Sequence, residues 1–84
     1  MKEEPIYNII VLHLSNRTKN STKVQETLTK HGCIIKTRFG VHETDEKYCD
    51  ENGLIILNVT QEYQELFEEL KKIEGLDVEK LTFK

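Results

Sequence analysis

The sequence predicts a single α+β domain, residues 1–84, in which two helices pack against a four-stranded antiparallel sheet. Two observations support this prediction. The segments Ile6–Leu14 and Leu54–Leu57 are apolar at neighbouring positions, which is typical of strands that have no solvent-facing side. Residues 21–31 and 60–73 instead repeat apolar residues every three or four positions, which is typical of amphipathic helices.

The first half of the chain supplies two strands and one helix. After the strand Ile6–Leu14, Asn20 or Ser21 is predicted to cap a helix that runs to about His31, with Gly32 in the left-handed position behind it. In the next strand, which ends at His42, apolar and polar residues alternate, so we predict an outer strand with its apolar face inward. The apolar face would hold Ile35, Thr37, Phe39 and Val41, and the polar face Lys36, Arg38, Gly40 and His42.

The second half repeats the pattern. Residues 43–52 are polar and predict a loop, and the strand 54–57 follows. Thr60 is predicted to cap a helix that ends at Gly75 in the left-handed C′ position. The last strand, 76–83, changes the phase of its apolar residues, for which a bulge near Glu79–Lys80 is the predicted cause.

The element order β-α-β-β-α-β is that of the split βαβ, or ferredoxin-like, arrangement. This arrangement predicts the strand order 4-1-3-2, with both helices on one face of the sheet. The first and third strands would be central, which agrees with their apolar residues on both faces. Since two helices cover only one face, we predict that the chain associates with a second copy through its sheet, either face to face or edge to edge, in a dimer or a tetramer.

Composition excludes several classes of function. Twelve basic and fifteen acidic residues give a net charge of −3, which argues against a nucleic-acid partner. Two cysteines form no disulfide framework, and no apolar run approaches the roughly 20 residues of a membrane span. The polar N-terminus resembles no signal peptide. We therefore expect a cytoplasmic protein without a membrane partner.

No segment matches a motif that would indicate catalysis. The four glycines are dispersed, so no phosphate-binding loop is predicted, and no nucleophile motif is present. We expect neither an enzyme nor a cofactor. His42 and Cys49 lie at the two ends of the polar loop, but the closely spaced ligand pairs typical of zinc sites are missing. No metal site is assigned, and a divalent-metal sensor that uses His42 and Cys49 remains an alternative.

Three segments resemble the ACT-like regulator family that is associated with the iron-only hydrogenase system. They are Ile35–Val41, Asn52–Val59 and the region from Leu70 to Phe83. The resemblance implies a ferredoxin-like fold, an oligomer and a regulatory role. The family is similar to the C-terminal half of nickel-responsive repressors, whose second strand carries a His-x-His motif. Here Gly40 occupies the position of the first histidine and His42 that of the second.

The predicted function is a regulatory, small-molecule-sensing module that acts as a homo-oligomer. We expect the ligand near the loop after the first strand and on the second strand, because this fold holds effectors at such positions. Arg38 could hold an anion with two parallel hydrogen bonds, and a glycine within a strand often marks a bulge or a close backbone approach. The candidate ligand-binding residues are Asn16, Arg17, Arg38, Gly40 and His42. The alternative is a structural or interaction protein whose open sheet edge docks a partner.

Overall fold

A computed structural model of the protein describes residues 7–15, 18–42 and 53–83, except for the side chains of Ser21, Val41 and His42. The elements are β1 (Tyr7–Leu14), α1 (Ser21–Lys30), a short 3₁₀ helix (Gly32–Ile34), β2 (Ile35–His42), β3 (Gly53–Val59), α2 (Gln64–Lys71) and β4 (Asp77–Phe83). The predicted order of strands and helices is confirmed. Neither described helix has the length and hydropathy that crossing a membrane requires.

The four strands form one antiparallel sheet in the order β2-β3-β1-β4. This is the predicted order counted from the opposite edge. Leu12 of β1 pairs with Ile55 of β3 on one side and with Val78 of β4 on the other. The two strands that are apolar at neighbouring positions are therefore the central ones, as predicted.

The core lies on one face of the sheet, which we call the helix face because both helices pack against it. Residues directly opposite each other in neighbouring strands share a face, so the register assigns each side chain to one side. The buried residues on the helix face are Ile10, Leu12, Leu57, Val59 and Val78, and those of the two helices are Val24, Leu28, Leu66 and Leu70. The prediction that both helices lie on one face is confirmed.

The predicted orientation of β2 is wrong. A register shift between Ile35 and Thr37 inserts one extra residue into the strand, and one extra residue exchanges the two faces for everything after it. Arg38 lies opposite Leu57 and therefore faces the helices. Phe39 lies opposite Ile56 and faces away from them.

The predicted bulge in β4 is also wrong. The pairing with β1 runs without interruption from Tyr7 opposite Phe83 to His13 opposite Asp77. The apolar residues change phase because Val78 faces the helices, whereas Leu81 and Phe83 face the other side. Lys80 lies on the helix face, where its Nζ is 5.2 Å from the ring of Tyr63 and 5.1 Å from the ring of Phe67. These cation–π contacts hold a charged residue on the face that also carries the apolar core.

The helix ends match the predictions in part. Asn20 caps α1, since its Oδ1 accepts a hydrogen bond of 3.1 Å from the backbone N–H of Lys23. In contrast, α2 begins at Gln64 and not at Thr60, whose hydroxyl accepts the N–H of Glu62 in the preceding turn. Gly32 opens the 3₁₀ helix and does not take the left-handed conformation that we predicted for it.

Gly75 has the predicted left-handed conformation, with φ at 81°, but α2 ends earlier, at Lys71, so Gly75 is not the C′ residue that we predicted. Because a Cβ disfavours this region, Gly75→Ala is expected to lower the free energy of unfolding by about 1 kcal/mol. The matched control is Gly40→Ala: the new Cβ would lie 3.5 Å from the carbonyl oxygen of Leu54, an ordinary contact, and its φ is not positive. Urea denaturation measures the free energy of unfolding of both variants. An equal loss of stability in Gly75→Ala and Gly40→Ala would contradict the role given to the positive φ of Gly75.

Candidate functional site

The face of the sheet away from the helices carries an apolar surface with no described element over it. We call it the open face and define it by eight residues from all four strands. They are Tyr7, Ile9, Val11, Phe39, Leu54, Ile56, Leu81 and Phe83. All five exposed large hydrophobic residues among the described residues lie here, namely Tyr7, Phe39, Leu54, Leu81 and Phe83, with exposures between 37% and 54%.

The size of this surface indicates a binding role. At these exposures, the five large side chains together present on the order of 500 Å² of accessible surface. A contiguous apolar patch of that size is comparable to the largest patch on a typical monomer, which is often functional. It also approaches the roughly 800 Å² that each partner buries in a standard protein–protein interface.

Polar groups on the same side of the sheet lie toward both ends of the surface. His13 Nδ1 is 3.1 Å from Asp77 Oδ2, and both side chains are about half exposed. Asn58 lies between Ile9 and Thr37 in the register, and its Oδ1 is buried without a hydrogen-bond partner among the described residues. A further acidic residue on this face, Glu79, lies on the outer strand β4, as Asp77 does. The acidic groups of the open face are therefore at its edge, as at the rim of protein–protein interfaces.

The predicted ligand residues of β2 lie on the opposite side, toward the helices. Arg38, Gly40 and His42 pair with Leu57, Ile55 and Gly53 of β3, so their positions share the helix face. Gly53 also pairs with Leu14, the last residue of β1. His42 and Leu14 therefore lie at the same end of the sheet, two strands apart, and the loop that carries Asn16 and Arg17 follows Leu14. Asn16 and Arg17 themselves lie outside the described residues.

Arg38 is held by the first helix. Its Nη2 donates a hydrogen bond of 2.7 Å to Oε1 of Gln25 on α1, and both side chains are exposed. Within the described ranges no acidic side chain pairs with this guanidinium, so its charge and its other donors are available there for an anion. The prediction of a bulge or a close backbone approach at Gly40 is wrong. Gly40 pairs regularly with Ile55, and the bulge of β2 lies earlier in the strand.

The alternative metal site at His42 and Cys49 stays a prediction, because Cys49 and the side chain of His42 lie outside the described residues. Cys33 is an exposed free thiol. His31, at the end of the first helix, contacts the second helix. Its Nε2 is 3.1 Å from Oε2 of Glu69.

Glu69 is the centre of an ion-pair cluster that the sequence analysis missed. Lys30 Nζ is 3.2 Å from the same carboxylate. Hydrogen bonds from His31 and from Lys30 hold the pKa of Glu69 below its usual value. Glu65 lies one turn earlier on α2, so the two carboxylates share a helix face. Only this i, i+4 pair was visible in the sequence, since His31 is distant along the chain.

A groove of about 690 Å³ lies beside this cluster, between the two helices. The charged residues that line it are Lys19, Lys23, Glu26, Glu69, Lys72 and Glu74. Three lysines and three glutamates cancel one another in charge, so the groove does not favour an ion of either sign. We therefore do not assign an effector to it.

Comparisons with known proteins were made at the level of families, sequences and structures. No family model and no curated protein sequence matches this chain. The uncharacterised protein TM1266 from Thermotoga maritima has a similar structure, with a TM-score of 0.70 and 20% sequence identity over 95% of this chain and 100% of that chain.

A second similar structure is CPII from Thiomonas intermedia, a nitrogen regulatory PII-like protein bound to ADP, AMP and bicarbonate. It has a TM-score of 0.53 and 15% identity over 95% of this chain and 92% of that chain. The apo form of CPII gives a TM-score of 0.53 at 13% identity, with 94% and 92% of the two chains covered. At these identities the similarity shows the fold, which is ferredoxin-like.

Proposed function

We propose that this chain is a non-catalytic regulatory module that works as a homo-oligomer, in which the open face of one copy packs against that of another. The observation that supports this proposal best is the exposure of five large hydrophobic side chains on one face of the sheet. The ACT-like resemblance of the sequence supports it as well, since it implies an oligomeric regulator. The link to the iron-only hydrogenase system is part of this proposal.

A second copy is the partner that fits this surface best. A two-fold axis allows one surface to bind an identical surface, because every contact between a residue of one copy and a different residue of the other is then made twice. A domain of 84 residues also builds only a thin core, so burying a second apolar layer adds stability that the chain cannot supply alone. The surface has few charged groups, which favours an apolar partner over a nucleic acid or an acidic peptide.

The module is proposed to bind a small anionic effector at Arg38. The guanidinium faces the helix side of the sheet and is paired only with the neutral amide of Gln25 among the described residues. An anion that displaces Gln25 would form charge-assisted hydrogen bonds, which are stronger than the bond it replaces. The ADP, AMP and bicarbonate bound to CPII share this anionic character.

Titration calorimetry tests the effector directly. The panel contains adenine nucleotides, bicarbonate, amino acids and divalent metals, each titrated into the oligomer. If an anion binds, Arg38→Gln is expected to weaken its binding at least about tenfold, since a hydrogen bond to a charged group contributes roughly 1.5–3 kcal/mol. Lys36→Gln is the matched control, because Lys36 is a neighbouring exposed cation at the bulge. Equal weakening in both variants, or no binding across the panel, would contradict the effector proposal.

A second candidate function is docking of another protein by strand addition. It is favoured by the sheet order, in which β2 and β4 have outer edges that pair with no other strand in the part of the chain that the structure describes. Such docking uses backbone hydrogen bonds at an edge. If strand addition is the function, a partner captured from the cell's own extract should still bind the Phe39→Glu variant. A partner that binds the open face should no longer bind this variant.

A further inference from the structure

We propose that His31, Glu65 and Glu69 form a binding site for a divalent transition-metal ion at the junction of the two helices. One donor atom from each residue lies within 4.8 Å of the other two. This site shares no residue with the metal-sensor alternative at His42 and Cys49, and it does not depend on the oligomer or on an effector at Arg38.

The three side chains are close to a coordinating arrangement. Nε2 of His31 and Oε2 of Glu69 are 3.1 Å apart, and ligand bonds of about 2.0–2.2 Å place neighbouring donors roughly 3 Å apart around a metal ion. Only the carboxylate of Glu65 needs to move inward. Glu65 is exposed, so a change of its side-chain rotamer is sufficient and costs little.

The backbone that carries these ligands is fixed by the core. His31 is the C-cap residue of α1, and its N–H donates to the carbonyl of Thr27 at 3.2 Å. Its side chain is only 10% exposed, so the ring has little freedom to turn away. On α2 the glutamates share the helix with Leu66 and Leu70, which are fully buried. Ligands on packed helices are positioned more accurately than ligands on loops.

The donor set indicates the class of ion. One imidazole and two carboxylates suit borderline cations such as Zn²⁺, Co²⁺ and Mn²⁺, whereas Mg²⁺ and Ca²⁺ prefer oxygen ligands alone. Coordination through Nε2 requires the tautomer of His31 that has its proton on Nδ1. Three protein ligands leave at least one coordination position for water or for an anionic small molecule.

Lys30 competes with the metal ion in this arrangement. Its ammonium is 3.2 Å from Glu69 and supplies the positive charge that a cation would otherwise supply. The side chain is 64% exposed, so it can move into solvent when an ion binds. Removing the charge of Lys30 should therefore tighten metal binding. If the cluster served only to hold the two helices together, the same change would weaken the contact between the helices.

The test uses the full chain without an affinity tag, titrated with Co²⁺ and then with Zn²⁺. Calorimetry and the visible absorption of Co²⁺, which reports its inner ligands, are the two readouts. We expect one ion per chain. Loss of a residue that only hydrogen-bonds to a metal ligand already lowers metal affinity by about 10–100-fold. His31→Gln and Glu65→Gln remove ligands, so each should weaken binding by at least about tenfold and change the Co²⁺ spectrum. Lys30→Gln should tighten binding about three- to tenfold.

Two controls make the result specific. Glu68→Gln removes an equally exposed carboxylate from α2 outside the cluster and should leave binding unchanged, as should the double variant His42→Ala, Cys49→Ser. Glu65→Gln keeps the test valid if His31→Gln does not fold, because the exposed Glu65 is not needed for packing. Absence of binding at millimolar Co²⁺ and Zn²⁺, or binding that survives Glu65→Gln and is lost with His42 and Cys49, would overturn the proposal.

Discussion

Replacing Phe39 with glutamate is expected to convert the oligomer into monomers. Phe39 lies on the open face, opposite Ile56, and is 54% exposed in the single chain. If a second copy covers it, the substitution places a charge in an apolar interface. Central aromatic residues contribute about 2–4 kcal/mol to association, so self-association should weaken by roughly 30-fold to 1,000-fold.

Sedimentation velocity measures this change, and circular dichroism shows that the monomer is folded. Because Phe39 contacts solvent in the monomer, its loss should have little effect on the fold. Thr29→Glu is the matched control, since Thr29 is exposed on α1, on the other side of the molecule. An unchanged distribution of sedimenting species in Phe39→Glu, or equal dissociation of Thr29→Glu, would show that the open face is not the contact.

Truncating Leu12 to alanine is expected to lower the free energy of unfolding by about 3–4 kcal/mol. Leu12 is fully buried at the centre of β1, between Ile55 and Val78 and beneath the helices. The loss combines the transfer free energy of the side chain with the cavity that it leaves. A domain of this length has a total stability of roughly 4–12 kcal/mol, so the variant loses a large part of it.

Leu81→Ala is the matched control in urea denaturation. Leu81 is 54% exposed on an outer strand, so in an isolated folded chain its truncation should cost less than about 1 kcal/mol. If a second copy covers the open face, the cost should rise with protein concentration, because stability is then linked to association. Equal losses for Leu12→Ala and Leu81→Ala in a dilute, monomeric sample would contradict the assignment of the core to the helix face.

The sequence predicted the elements and their order because each element has a strong periodic pattern. The strands β1 and β3 are apolar on both sides, which agrees with the central positions that the element order predicted for them. The same patterns predicted the helix face, since α2 has Leu66 and Leu70 on a single stripe. Local signals bound the helices in part: the side chain of Asn20 caps α1, and Gly75 takes its left-handed conformation after α2.

The orientation of β2 was not predictable from alternation. The alternation of apolar and polar residues in the sequence is the same whether or not one residue forms a bulge. The register shift after Ile35 is set by pairing with β3, which the sequence pattern of β2 does not show. The error had a consequence for function. Phe39 was assigned to the core and Arg38 to the solvent side, whereas Phe39 belongs to the open face and Arg38 contacts α1 through Gln25.

The cluster of His31, Glu65 and Glu69 was invisible in the sequence for a different reason. Its residues come from two helices that are far apart along the chain, and no spacing rule connects the end of α1 to the middle of α2. Helix packing brings them together. In contrast, the phase change of β4 was visible but misinterpreted: Leu81 and Phe83 were signs of a second apolar face, and no bulge was needed to explain them.

The mass of the unmodified chain in solution tests the central claim most directly. Sedimentation equilibrium from micromolar to several hundred micromolar concentration should give at least twice the 9.9 kDa of one chain, with the open faces buried between copies. A mass of 9.9 kDa over that whole range would contradict the claim that a second copy covers Tyr7, Phe39, Leu54, Leu81 and Phe83.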